Sequence, residues 1–143
     1  MSFPSEAYIN LIQSEEMAWL QELWEPMAGD WMLVQASLWS VPMEDYVTVV
    51  DGHGIGRHSI YNLTKYFEEY PLGSAYLWLP RLDQLFYLLK DCGCNLIWRV
   101  DGFEVAMECD FLAWDAYAHE WEKSASEPEI AALKLYAAVR GKV

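Results

Sequence analysis

The stretch VVDGHGIGRH (residues 49–58) has the residue types that most suggest chemistry, since it carries three glycines and two histidines. A dinucleotide-binding loop needs Gly-x-Gly-x-x-Gly between a strand and a helix, and the Walker type ends in Gly-Lys-Ser or Gly-Lys-Thr. The stretch has neither spacing. The residues after Gly56 also predict a strand, so that no helix N-terminus would face a phosphate. We therefore predict a hairpin loop after Asp51, in which the glycines supply positive φ angles.

The histidines of this loop, His53 and His58, are also candidate metal ligands. The chain's other candidate ligands are Cys92 and Cys94, which are separated by a single residue, whereas zinc ligands are usually paired across two or more. A Cys2His2 site built from these four residues, in a small metal-binding enzyme, is one alternative. The other is that the histidines lie in a wet loop and the cysteines are buried thiols. The motifs indicate no cofactor.

Charge is the most unusual property of the composition. Twenty-two acidic residues against nine Lys and Arg give a net charge of −13 over 143 residues. Because binding to phosphate backbones needs basic patches, this balance argues against direct binding of nucleic acid. An acidic surface serves solubility in most proteins. It can alternatively imitate the phosphates of DNA, if the carboxylates lie along one face.

The remaining totals predict one ordinary globular domain over residues 1–143. The sequence is 54% hydrophobic and 15% aromatic, which is far from the composition of a disordered chain. No apolar run approaches the roughly 20 residues of a membrane helix. A signal peptide has a basic segment followed by an apolar one, and the first residues, MSFPSEAYINLIQSEE, do not have this order. We therefore expect a cytoplasmic protein without a membrane segment.

The N-terminal half predicts one or two helices followed by strands. Residues 5–24 have a helical apolar period, but Glu16 falls in the middle of its apolar face. A break at Ser14 is favoured, because it would place Glu16 in the first turn of a second helix instead of in the core. Residues 29–39 and 44–52 predict two strands. Residues 57–63 suggest a short third strand, residues 63–76 a connection with a single helical turn, and AYLW (residues 75–78) an edge strand.

The C-terminal half predicts two helices around a hairpin, with a further helix after Asp110. LPRLDQLFYLLKDCG (residues 79–93) has an apolar stripe at helical spacing, and PEIAALKLYAAVRG (residues 128–141) has another, with Gly141 as its terminator. Between them, Asp101-Gly102 separates two alternating runs and predicts a type I′ hairpin. This turn fixes the register, with Trp98 opposite Val105, Leu96 opposite Met107, Arg99 opposite Glu104 and Cys94 opposite Cys109.

Three segments together resemble small, uncharacterised proteins of phages and prophages of Gram-positive bacteria. They are WEPMAGDWMLV (residues 24–34), YLWLPRLDQLFYLL (residues 76–89) and EIAALKLYAAVRGK (residues 129–142). The shared pattern is Trp-x-Pro-x-x-Gly-Asp before a strand, then Trp-Leu-Pro-x-x-Asp-Gln-Leu opening a helix. The resemblance implies an origin in a mobile element and no assigned activity.

These observations predict an α+β fold, with an antiparallel sheet of about four to five strands and helices packed on one face. The alternative is an SH3-like partial barrel with helices. For function we expect a non-catalytic acidic module that binds a protein partner, with a DNA-mimic inhibitor and the metal-binding enzyme as alternatives. The candidate interaction or pocket residues are Trp31, Trp78, Asp83, Gln84 and Glu16. Gln84 has no role that the sequence can assign.

Overall fold

The structure, a computed structural model, describes residues 3–38, 43–52, 56–70, 75–91, 95–99, 104–108 and 128–141. The secondary structure is α+β. In chain order the elements are α1 (Glu6–Gln13), a 3₁₀ helix (Glu15–Leu23), β1 (Trp31–Val34), a short 3₁₀ helix (Ala36–Leu38), β2 (Tyr46–Val49), α2 (Ile60–Glu69), β3 (Tyr76–Trp78), α3 (Leu82–Asp91), β4 (Asn95–Arg99), β5 (Glu104–Glu108) and α4 (Pro128–Val139).

The chain divides into two compact units, one of Glu6–Pro80 and one of Met1–Ser5 with Arg81–Val143. The five described strands are likewise divided. Strands β2, β1 and β3 form a three-stranded antiparallel sheet in that order, and β4 pairs with β5. A single sheet of four to five strands was predicted, so the class agrees and the arrangement of the strands differs.

The break predicted near the N-terminus is confirmed at Ser14. Helix α1 ends at Gln13 and a 3₁₀ helix begins at Glu15, so that Glu15 and Glu16 lie in its first turn and are exposed. The physical reason is the one expected, since a continuous helix would have turned Glu16 into the core. Ser14 does not cap the second helix with its side chain, however; its hydroxyl donates to the Leu11 carbonyl at 2.5 Å.

The short third strand predicted at residues 57–63 is wrong, and so is the single helical turn expected after it. A helix of ten residues, α2, runs from Ile60 to Glu69. Ser59 is its N-cap and accepts a hydrogen bond from the Asn62 N–H at 3.2 Å. The helix is marked by the apolar spacing of Ile60, Leu63 and Phe67. This spacing runs from the predicted strand into the predicted connection, so that neither segment alone shows it.

The outer edge of β3 is closed by side chains of the N-terminal segment. The Trp78 N–H donates to Gln21 Oε1 at 2.6 Å, and Gln21 Nε2 donates to the Trp78 carbonyl at 3.2 Å. The Tyr8 hydroxyl donates to the Pro80 carbonyl at 2.8 Å. Both side chains are buried. The amide of Gln21 therefore takes the place of a neighbouring strand, because it satisfies one backbone donor and one backbone acceptor.

In the second unit, α3 packs against α4 and contacts β4. The register predicted for the hairpin is confirmed, with Trp98 opposite Val105, Leu96 opposite Met107 and Arg99 opposite Glu104. The turn residues Asp101 and Gly102 and the pair Cys94 and Cys109 lie outside the described residues, as does the helix predicted after Asp110. Gly141 ends α4 with a φ of +70°, as its position predicts.

Candidate functional site

A cluster of aromatic rings covers one face of the three-stranded sheet. Val34 of β1 lies opposite Tyr46 on one side and Tyr76 on the other, so these three side chains form a row on the same face. The ring of His58 lies between the two tyrosines, with its centre 6.1 Å from that of Tyr46 and 6.0 Å from that of Tyr76. Both contacts are edge-to-face, the geometry that aromatic pairs prefer.

Helix α2 extends this cluster away from the histidine. Tyr66 meets Tyr76 edge-to-face with ring centres 4.9 Å apart, and Phe67 lies 5.5 Å from Tyr66. Phe67 in turn contacts Trp24, at 5.7 Å and an interplanar angle of 68°. The cluster is therefore continuous from the histidine of the loop to the tryptophan that precedes β1.

Trp24 is held in place by a buried carboxylate. Asp30 Oδ2 accepts from the Trp24 indole N–H and from the Met27 N–H, both at 3.0 Å. Gly29, just before Asp30, has a φ of +90°, a conformation that side-chain-bearing residues rarely adopt. The Trp-x-Pro-x-x-Gly-Asp pattern thus has a local structural role, because its first and last residues are bonded to each other.

Next to this contact lies a cleft of about 360 Å³. One wall is the chain around Trp24 and the other is α2. The lining residues are Trp24, Glu25, Pro26, Thr64, Phe67 and Glu68. Trp24 is buried and Phe67 is half-buried, whereas the two glutamates are exposed. The cleft therefore carries one carboxylate on each wall and has an aromatic floor, of which Phe67 is the partly exposed ring and Trp24, at 4% exposure, the buried one. Carboxylates beside an exposed aromatic ring are a suitable environment for a cationic group.

His58 is the one described residue of the predicted metal site. Its Nε2 lies 3.3 Å from the Tyr46 hydroxyl. His53, Cys92 and Cys94 lie outside the described residues, and the described residues contain no group of three His, Cys, Asp or Glu side chains arranged to hold a metal ion. The Cys2His2 site therefore stays a prediction.

The glycine loop after Asp51 differs from the prediction, and Gly52 and Gly56, its described glycines, do not have positive φ angles. A helix, α2, does follow the glycine loop, where a strand was predicted. The Gly-x-Gly-x-x-Gly spacing is still missing, and the Gly56 carbonyl accepts from the Ser59 N–H at 3.0 Å and from Asn62 Nδ2 at 2.6 Å. These bonds join the end of the loop to the first turn of α2.

Burial, and after it the charge of Arg57, lowers the pKa of His58 below its ordinary value of 6.5. The folded state therefore prefers neutral His58, and stability present above pH 6.5 is expected to be lost as the pH falls through the lower pKa of the folded state. We expect the wild-type protein to lose more unfolding free energy between pH 7 and pH 5.5 than His58→Gln. Urea unfolding of both proteins at each pH, with the ring protons of His58 followed by NMR, measures this difference. Equal pH slopes, or a titration above 6.5, would contradict it.

Two of the predicted site residues, Asp83 and Gln84, lie at the start of α3. Gln84 Oε1 accepts from the Arg81 N–H at 2.9 Å, which is one half of a capping box. This bond gives Gln84 the structural role that the sequence could not assign. Asp83 Oδ1 accepts from Arg81 Nε at 3.1 Å, in an exposed ion pair of small expected energy.

The other three predicted site residues lie on three different elements. Glu16 is exposed at the start of the 3₁₀ helix, and its carbonyl accepts from the Trp19 indole N–H at 2.8 Å. Trp31 is half-buried on β1. Trp78 is buried on β3, and its indole N–H is buried without a hydrogen-bond partner among the residues that the structure describes. None of the five predicted residues lines the cleft.

The cleft is not apparent from local patterns in the sequence. One of its walls is α2, where a short strand and a connection were predicted. The other wall lies some forty residues earlier in the chain. One indication was present, because the Trp-x-Pro-x-x-Gly-Asp pattern places a fixed tryptophan next to an exposed glutamate.

Among the described residues, no helix is both long and apolar enough to cross a bilayer. Comparison with known proteins finds no matching family model, no matching curated protein and no matching solved structure.

Proposed function

We propose that this protein is a non-catalytic interaction module that binds a basic protein partner in the cytoplasm. The observation that carries the proposal is the outward surface of α2. Tyr61, Thr64, Lys65 and Glu68, which we call the α2 face, recur at helical spacing and are all exposed. The side chain of Tyr61 is 57% exposed, which is a large aromatic surface to leave in water.

The segment that follows Trp24 lies across the cleft from this helix. It contributes the exposed Glu25 and Met27, and Met27 is 66% exposed. Tyrosine and methionine are enriched in protein interfaces, and tyrosine is frequent among the residues that dominate binding energy. With a net charge of −13, the chain would attract a basic partner over a distance before contact.

We further propose that the protein is an accessory factor of a phage or prophage. The support is the resemblance in three segments, and part of that pattern has a structural role here, in the Trp24–Asp30 and Arg81–Gln84 bonds. Location of the gene inside a prophage would support this origin. Location among chromosomal housekeeping genes would contradict it.

The proposed interaction predicts that Met27→Ser with Tyr61→Ser weakens capture of the partner by about ten-fold or more, because interface aromatics contribute 1 kcal/mol or more when truncated. The measurement is quantitative mass spectrometry of proteins captured from the source cells by wild-type and variant protein. Tyr87→Ser is the matched control, because Tyr87 is 67% exposed but lies on α3, in the other unit.

Capture of one basic protein by the wild type and by Tyr87→Ser, and its loss from the double variant, would support the proposal. No enriched protein, or equal loss from all variants, would contradict it. If the captured protein binds DNA and DNA displaces it, the DNA-mimic alternative is favoured.

A further inference from the structure

We propose that the cleft between residues 24–26 and α2 is a binding site for the guanidinium group of an arginine side chain on the partner. The inference rests on the proposed interaction function and adds the chemistry that would be recognised. It does not depend on the identity of the partner.

The aromatic floor of the cleft is held in place by contacts within the protein. The indole of Trp24 is fixed by the 3.0 Å hydrogen bond to Asp30 and by the edge-to-face contact with Phe67. A prearranged aromatic surface lowers the entropic cost of binding, since these two rings do not need to be ordered around the ligand. Phe67 is the ring that a cation in the cleft can reach, because Trp24 is buried, and cations are attracted to the negative charge of an aromatic ring face.

The two carboxylates add charge on both sides of that floor. Glu25 belongs to the wall before β1 and Glu68 belongs to α2, so a cation in the cleft would lie between them. Thr64 adds a hydroxyl on the side of α2. Because guanidinium is planar, carries five donors and can bond to carboxylates while it stacks on a ring, these groups match arginine better than lysine.

The nearest cation on the helix does not line this cleft. Lys65 lies on the same face as Tyr61, and its Nζ is 4.6 Å from the centre of the Tyr61 ring. It does not line the cleft, whose charged members are both acidic, but it lies near Glu68, because Tyr61 and then the charge of Glu68 raise the pKa of Lys65. The volume of about 360 Å³ is sufficient for a guanidinium group and part of its aliphatic stem.

The test is an NMR titration of the whole protein with the peptide Ac-Gly-Arg-Gly-amide, at constant ionic strength. Ac-Gly-Lys-Gly-amide and Ac-Gly-Gln-Gly-amide are the matched probes. We expect saturable shifts of the Trp24 indole N–H and of the backbone amides of Thr64, Phe67 and Glu68. The arginine peptide should bind more tightly than the lysine peptide, and the glutamine peptide should cause no saturable shift.

The double variant Glu25→Gln with Glu68→Gln should weaken binding of the arginine peptide by about ten-fold, because it removes both carboxylates and keeps the shape of the cleft. Glu69→Gln is the control on the neighbouring exposed residue of α2 outside the cleft, and it removes one charge where the double variant removes two. It should change binding by less than about two-fold, as expected for a screened charge. Thermal unfolding of each variant establishes that it is folded.

Absence of a saturable shift, equal binding of the lysine peptide, or an equal effect of Glu69→Gln would overturn the proposal. Its failure can be distinguished from failure of the interaction function. A partner that is captured through Met27 and Tyr61 but is unaffected by the Glu25 and Glu68 double variant would leave the interaction function standing and remove the arginine site. Binding of the arginine peptide without any captured partner would support the arginine site and contradict the interaction function.

Discussion

The Gln21→Met variant is expected to lose about 3 kcal/mol of unfolding free energy, since the Trp78 N–H and carbonyl would each stay buried without a partner, at about 1–3 kcal/mol apiece. Gln21 is only 2% exposed, and both polar atoms of its amide are bonded to Trp78. Methionine has a similar length and adapts to irregular space, so the loss of packing should be small. Urea unfolding measures the change. Gln13→Met is the control, because Gln13 is exposed on α1 and should stay within about 0.5 kcal/mol of the wild type.

Gln21→Glu separates hydrogen bonding from shape at the same position. One carboxylate oxygen can still accept from the Trp78 N–H, but the other would face the Trp78 carbonyl, so the charged form is disfavoured and the glutamate pKa is raised in the folded state. A raised folded pKa gives stability that is present at low pH and is lost as the pH rises. Gln21→Glu should therefore be less stable than Gln21→Met at pH 8, with a smaller difference at pH 5. A difference that does not depend on pH would show that the carboxylate does not remain at the strand edge.

Removal of the Asp30 carboxylate should have an effect of similar size. Asp30→Ala leaves the buried indole N–H of Trp24 and the Met27 N–H without their acceptor, and hydrogen bonds to charged groups contribute about 1.5–3 kcal/mol each. We expect a loss of about 3 kcal/mol or more, measured by urea unfolding. The Trp24 indole N–H resonance should also move, because its hydrogen bond is gone.

Asp45 provides a matched control for this substitution. Its Oδ1 also accepts from one backbone N–H and one side-chain donor, those of Ser37 at 3.0 Å and 2.6 Å, but both groups are exposed. Water can replace the lost acceptor there, so Asp45→Ala should lose less than about 1 kcal/mol. If the two aspartates gave equal losses, the burial of Asp30 would not be the cause of its effect.

Local patterns in the sequence determined much of the secondary structure. The hairpin register was predictable because Asp101-Gly102 fixes the loop length and the flanking residues alternate. The break at Ser14 was predictable from the position of a single charge, Glu16. Helix α2 was not predicted, because its apolar spacing is divided between the predicted third strand and the connection after it. The N-cap Ser59 was the local signal for a helix.

The covered edge of β3 and the cleft could not be predicted in the same way, because their contacts join distant parts of the chain. Gln21 bonds to a residue 57 positions away, and its role depends on β3 being an edge strand, which no local pattern states. The cleft likewise requires residues 24–26 to meet the second half of α2. The Trp24–Asp30 bond spans only six positions and is the part of the site that the sequence could have shown.

The bonds of Gln21 and Tyr8 to β3 also have a consequence for self-association. An open strand edge is a template on which another chain can add a strand, and this is a common first step toward aggregates. Here that template is covered by an amide and a phenol carried on the segment before β1. Detachment of this segment would open the edge of β3 to another chain and would also uncover buried residues of the segment itself, such as Ile12 and Leu20, so exposure of this edge accompanies partial unfolding.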